Sequence, residues 1–174
     1  MPRVLVVPYD PNWPHEFSIA SEELIPAFGK TLLQVHHIGS TSIPGIHAKP
    51  IIDILAVVSS LNSVDQQSAQ MKSLGYEVMG EFGIVGRRYF RRDNSAGQRT
   101  HQIHAFAVGS PDVARHLAFR EFMRAHPQIA EQYSKLKQRL AAEHPNDIEA
   151  YLDGKDPFIK EMETCALEWA KSIG

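Results

Sequence analysis

The chain has 174 residues, of which 43% are hydrophobic and 22% charged, with a formal net charge of −2. These values exclude a disordered or fibrous protein and argue against a surface dominated by polyanion binding. One cysteine, Cys165, excludes an internal disulfide and suits a reducing compartment.

No apolar run reaches the ~20 residues of a membrane span, so no membrane contact is expected. The N-terminus lacks the h-region of a signal peptide. The expectation is a cytoplasmic protein for which nucleic acid is not a favoured partner. Val4 to Val7 reads as a first strand or extended arm. A helix follows, with Asn12 as cap and Pro14 in the first turn. Phe17, Ala20, Leu24 and Phe28 give its apolar stripe, and Pro26 is expected to bend or end it. "TLLQVHHIG" and "PIIDILAVV" read as strands, the second apolar on both faces and therefore central. "SVDQQSAQMKSLG" reads as one helix ending at Gly75. "YEVMGE", "IVGRRYFRRD" and "RTHQIHAFAV" read as strands, the last two a hairpin around "DNSAG". Ser110 and Pro111 start a helix to Ala125, Pro127 starts another, and Asp156 with Pro157 starts the last. The order gives an α+β class: a mixed sheet flanked by helices over residues 1–109, then a helical part over 110–174 packed on it.

Chemistry concentrates in "HHIGSTSIPGIHAKPIIDILAVV", His36 to Val58. Gly39 permits close approach to the backbone. Loop N–H groups with the hydroxyls of Ser40, Thr41 and Ser42 make an anion cradle. Asp53 on the next strand suits a hard cation beside that anion, and Lys49 suits leftover phosphate charge. A P-loop does not fit, because Gly39 and Gly45 are separated by five residues and Lys49 precedes a proline. No Gly-x-Ser-x-Gly elbow is present. A solvated turn beside an ion-paired strand aspartate would give the same pattern. The loop and Asp53 are expected to be adjacent and to open on the main pocket.

The same stretch resembles the signature of the GrpB-like family of the nucleotidyltransferase superfamily, DNA polymerase beta type. "YDPNWPHEF", "GRRYFRR", "RTHQIHAF", "LAFREFMRAHP", "YSKLKQRLA" and "YLDGKDPFI" agree over nearly the whole chain. The resemblance implies a nucleotidyltransferase-like fold. It also implies a Gly-Ser turn at Gly39–Ser40 and a metal carboxylate at Asp53, with Mg²⁺ or Mn²⁺ as the ion. The superfamily's second carboxylate is missing, since Ile51 and Leu55 hold the positions two away. His104 matches the second histidine of the family's His-Leu-His-Val pattern, with Gln102 in the first histidine's place; His104 becomes a candidate metal ligand or general base. Residues two apart on a strand share a face, so Gln102 should share the cleft and His101 should point away. Arg87 and Arg88 are candidate phosphate ligands, and His37 and Gln102 candidate supports. Three functions follow: a metal-dependent transferase moving a nucleotidyl group to a small acceptor, a non-catalytic binder of a nucleotide or phosphometabolite, and a partner-binding module. Oligomeric state is not legible.

Overall fold

A computed structural model describes residues 3–174. A helix, α1 (Trp13–Phe28), precedes strands β1 (Leu32–Ile38) and β2 (Ile52–Val58). Short helices α2 (Leu61–Asp65) and α3 (Ser68–Ser73) lead to β3 (Glu77–Val78), β4 (Arg87–Asp93) and β5 (Arg99–Ala107). Helices α4 (Pro111–Ala125), α5 (Pro127–Glu143) and α6 (Ile148–Ile173) follow. The sheet runs β1-β2-β5-β4-β3, antiparallel except for the β2–β5 pair. The class is α+β, with a mixed sheet between helices, as the sequence predicts.

β2 is central because it is apolar on both faces. Ile54, Leu55, Ala56 and Val58 are each 0% exposed. Ile54, Ala56 and Val58, with Ile103 and Ala105 of β5, pack against Leu24 and Phe28 of α1 and Met71 of α3. On the other face Leu55, Val57 and Phe106 lie under Val113 and Leu117 of α4. Asp53 belongs to this second face, at the start of β2 where the apolar layer stops. The loop after β1 enters the helical layer: Ile43 and Ile46 pack with Met123, Ala130 and Tyr133. That insertion ties α4 and α5 to the loop beside Asp53.

Several local readings change. Val4–Val7 is an arm, with Val7 bridged to Ala48 and the Val4 N–H donating to the Pro145 carbonyl at 2.8 Å. Asn12 precedes α1, but its side chain makes no cap bond, and Pro26 lies inside the helix. The predicted helix up to Gly75 is two helices, the first capped by Ser60. The last helix starts eight or more residues before Asp156: Asp147 Oδ1 accepts from the Ala150 N–H at 3.0 Å, and Pro157 sits within the helix. Tertiary contact explains this. Tyr151, fully buried against Val4 and Leu140, anchors the early turns of α6. Gly154 admits Leu140, whose Cδ2 would lie 2.5 Å from an added Cβ. Removing the cap in Asp147→Ala should destabilise the protein by about 1 kcal/mol. Urea melts check this, and an unchanged midpoint would show that Tyr151 alone sets the helix start. Among the described residues no helix is long and apolar enough to cross a membrane.

Candidate functional site

β1 ends in a turn at Gly39 with φ 73° and ψ −176°, a region essentially reserved for glycine. An added Cβ would stand 2.6 Å from Asp53 Oδ2. The backbone of the loop therefore lies directly on the carboxylate. The loop and Asp53 are adjacent, and glycine is required on two counts.

The loop hydroxyls divide into two kinds. Thr41 and Ser42 are buried, at 1% and 4% exposed. Thr41 Oγ1 donates to the Ile51 carbonyl at 3.0 Å, and Ser42 Oγ donates to the Gly39 carbonyl at 2.5 Å. Both hydroxyls hold the loop to itself. Ser40 remains partly exposed, its hydroxyl 3.4 Å from Tyr133 Oη. From outside, Arg124 gives two bonds to the Ser42 carbonyl at 2.8 and 3.0 Å, and Arg120 gives one to the His37 carbonyl at 3.1 Å. His37 lies on the opposite face of the sheet from Asp53. Thr41 has spent its proton on Ile51, so His37 Nε2–H donates to Thr41 Oγ1, at 2.9 Å. Its ring stacks on Phe17 at 5.0 Å.

His104 sits between an acceptor and a donor. Nε2 is 3.1 Å from Asp53 Oδ1, and Nδ1 is 3.3 Å from Arg87 Nη1. Arginine only donates. Nδ1 must therefore accept, and Nε2–H must donate to Asp53. Both nitrogens make hydrogen bonds, so as placed here His104 holds the aspartate in position. Arg87 is 7% exposed and braces this pair, giving its other N–H groups to the carbonyls of Glu81 and Phe82 at 3.2 and 3.0 Å. It is not free to hold phosphate. Arg88 is removed from the site altogether, since it points to the other face and clasps Asp65 at 2.7 and 3.2 Å. Gln102 is in register with Asp53 and shares the face of His104. His101 faces away, between Thr100 and Arg92.

Asp53 keeps unused lone pairs, and its side chain is 24% exposed. It is one hard oxygen donor. Glu77 instead clasps Arg91 at 3.1 Å, and Glu81 accepts from the Gly86 N–H at 2.7 Å. Among the described residues no three His, Cys, Asp or Glu side chains are grouped to hold a metal. A divalent cation fits only where a ligand supplies the remaining oxygens. Lys49 is partly buried 5.6 Å over the ring of Tyr151. Burial, then Lys155, lowers its pKa to about 8, while Asp53 works against them.

A cavity of about 350 Å³ lies behind the loop, lined by Phe17, His36, His37, Thr41, Arg120 and Arg124. Asp53 does not line it, contrary to expectation, because the loop screens one from the other. Sequence reasoning also missed His116, whose ring is 5.7 Å from that of His104. Its spacing with Val113 and Leu117 on α4 marks an inward stripe that could have revealed it.

Burial, ahead of any charge, pushes the pKa of His37 and His101 down to about 4 and that of His116 to about 3. The folded protein thus keeps these rings neutral where the unfolded chain, at 6.5, takes up protons. Their contribution to stability is complete above pH 6.5 and is lost as pH falls toward 4. The urea midpoint should be lower at about pH 5 than at about pH 7, and His116→Gln should narrow the gap. Equal midpoints in the parent protein would contradict these assignments.

Residues 3–164 match the GrpB protein family. The chain belongs to the GrpB family. It is 46% identical to YqkA of Bacillus subtilis, over 97% of this chain and 49% of that protein, so it spans about half the length of that relative. The crystal structure of GrpB from Enterococcus faecalis superposes with a TM-score of 0.91 at 41% identity, covering 95% of this chain and 99% of that one. Terminal uridylyl transferase 4 from Trypanosoma brucei, solved with bound dUTP, shares the fold at a TM-score of 0.53 and 9% identity, over 78% of this chain and 46% of that one. This GrpB chain thus has a nucleotidyltransferase-like fold.

Proposed function

We propose that this GrpB chain binds a nucleotide, or another phosphorylated small molecule, together with Mg²⁺ or Mn²⁺ beside Asp53. The observation that carries the reading is the contact of Gly39 with the Asp53 carboxylate. It brings the backbone of the turn against the Asp53 carboxylate, which supports a phosphate and a cation sharing one site. Asp53 would hold the cation, which supplies neutralising charge to the phosphate. Ser40, whose hydroxyl donates to Tyr133 Oη over a long 3.4 Å, would turn that proton to a phosphate oxygen, and Lys49 gives charge. His104 and Arg87 keep the carboxylate aimed. The single cysteine suits a cytoplasmic setting.

A second reading, nucleotidyl transfer to a small acceptor, has the fold in its favour. An acceptor oxygen would attack the α-phosphorus and pyrophosphate would leave. With one carboxylate and no free base at His104, the binding reading stands ahead. A panel of nucleoside triphosphates, tested by thermal shift and by pyrophosphate release with and without Mg²⁺, separates the two. Metal-dependent stabilisation that is lost in Asp53→Ala is expected. Pyrophosphate release with the same dependence would establish transfer. No response to any nucleotide would favour a partner-binding module.

A further inference from the structure

Three lysines meet where α5 and α6 flank the loop before β2. Lys49 and Lys155 place Nζ 5.6 and 5.2 Å from the ring centre of Tyr151. Lys137 places Nζ 4.3 Å from that of Tyr133. Tyr133 in turn meets the Ser40 hydroxyl, so the cluster adjoins the Gly39 loop. Lys137 is 1% exposed, whereas Lys49 and Lys155 are partly exposed. Among the described residues three buried side-chain polar atoms have no hydrogen-bond partner. Two of them, Lys137 Nζ and Tyr151 Oη, belong to this cluster.

For the fold alone this arrangement is unfavourable. A buried amine without an acceptor destabilises, and an apolar side chain would serve packing better. Like charges also crowd together. Burial, then Lys155, pushes the Lys137 pKa down to about 6, and burial lowers that of Lys155. The groups facing the cluster offer little relief. Tyr133 and Tyr151 stay neutral, their hydroxyls raised mainly by burial. Asp53 acts on Lys49 and Lys155, and Lys155 is the charge that acts on Lys137. Several amines around two rings match an anion with several charged oxygens.

We propose that Lys49, Lys137 and Lys155 form a second anion subsite, on the helical side of Asp53, for the outer phosphates of a nucleoside triphosphate or another polyphosphate, and that filling it draws a proton from solvent onto Lys137. This rests on the reading that a phosphorylated ligand binds beside Asp53, and narrows that ligand to a polyphosphate. The anion makes the ammonium form favourable where burial alone disfavours it.

The test is calorimetry of inorganic triphosphate without metal, at about pH 7, where Lys49 already holds its proton and Lys137 does not, in two buffers of different ionisation enthalpy. The parent chain should bind with uptake of about one proton. Lys137→Met should fold at least as well by thermal melting, bind about tenfold or more weakly, and lose the proton uptake. Lys49→Met should weaken binding while keeping the uptake. Unchanged affinity in Lys137→Met would overturn the subsite. Failure of the parent to bind triphosphate would also overturn it; if Mg²⁺-nucleotide still binds in an Asp53-dependent way, the site at Asp53 stands without it.

Discussion

Gly39→Ala is expected to lower stability by about 3 kcal/mol and to abolish nucleotide binding. Two costs add. A non-glycine residue at this backbone conformation costs about 1–3 kcal/mol. The new methyl would also stand 2.6 Å from Asp53 Oδ2 and 2.9 Å from Asp53 Cβ, so the carboxylate must shift away from His104 or the loop must lift. Gly45→Ala is the control. Gly45 also has positive φ, at 84°, but an added Cβ would meet nothing within 4 Å. Its cost should stop at the backbone, about 1 kcal/mol, with binding kept. Urea melts and thermal shift with Mg²⁺-ATP measure both. Equal effects of the two substitutions would mean that contact with Asp53 has no role.

Asp53→Asn should change binding in opposite directions with and without metal. Asparagine keeps the shape, and its carbonyl can still accept from His104 Nε2–H. Only the charge goes. Asp53 is the carboxylate that offsets Lys49 and Lys155. Without it, metal-free triphosphate should bind about fivefold more tightly, the effect of roughly 1 kcal/mol of lost repulsion. The enhancement of nucleotide binding by Mg²⁺, about tenfold or more in the parent, should disappear. Parallel weakening in both conditions would instead show a merely structural aspartate.

Much of this was legible in the sequence. The two-faced apolar pattern of Ile52–Val58 identifies the central strand, and strand periodicity places Gln102 and His104 together with His101 opposite. Gly39 next to a run of hydroxyls identifies the turn. The direction of each hydroxyl was not legible. Thr41 and Ser42 look like ligands in one dimension, but the turn folds them onto Ile51 and Gly39. Arg87 and Arg88 have identical composition; only register with β5 shows that one braces His104 and the other reaches Asp65. The lysines were least visible, because Lys49, Lys137 and Lys155 lie far apart in the chain. On an isolated helix Lys137 looks solvated, and only the crossing of α5 and α6 buries it. The start of α6 was hidden for the same reason: Tyr151 and Gly154 act through Leu140, while Pro157 gives a stronger local signal.

The central claim is that cation and phosphate share one site, with Asp53 alone too few ligands to hold the cation. Calorimetric titration of Mg²⁺ into the protein, first alone and then with ATP present, tests it most directly. The account predicts no saturable Mg²⁺ binding below about 1 mM for the protein alone, and nucleotide affinity raised about tenfold or more when the metal is present. Tight Mg²⁺ binding by the protein alone, or nucleotide binding indifferent to the metal, would contradict it.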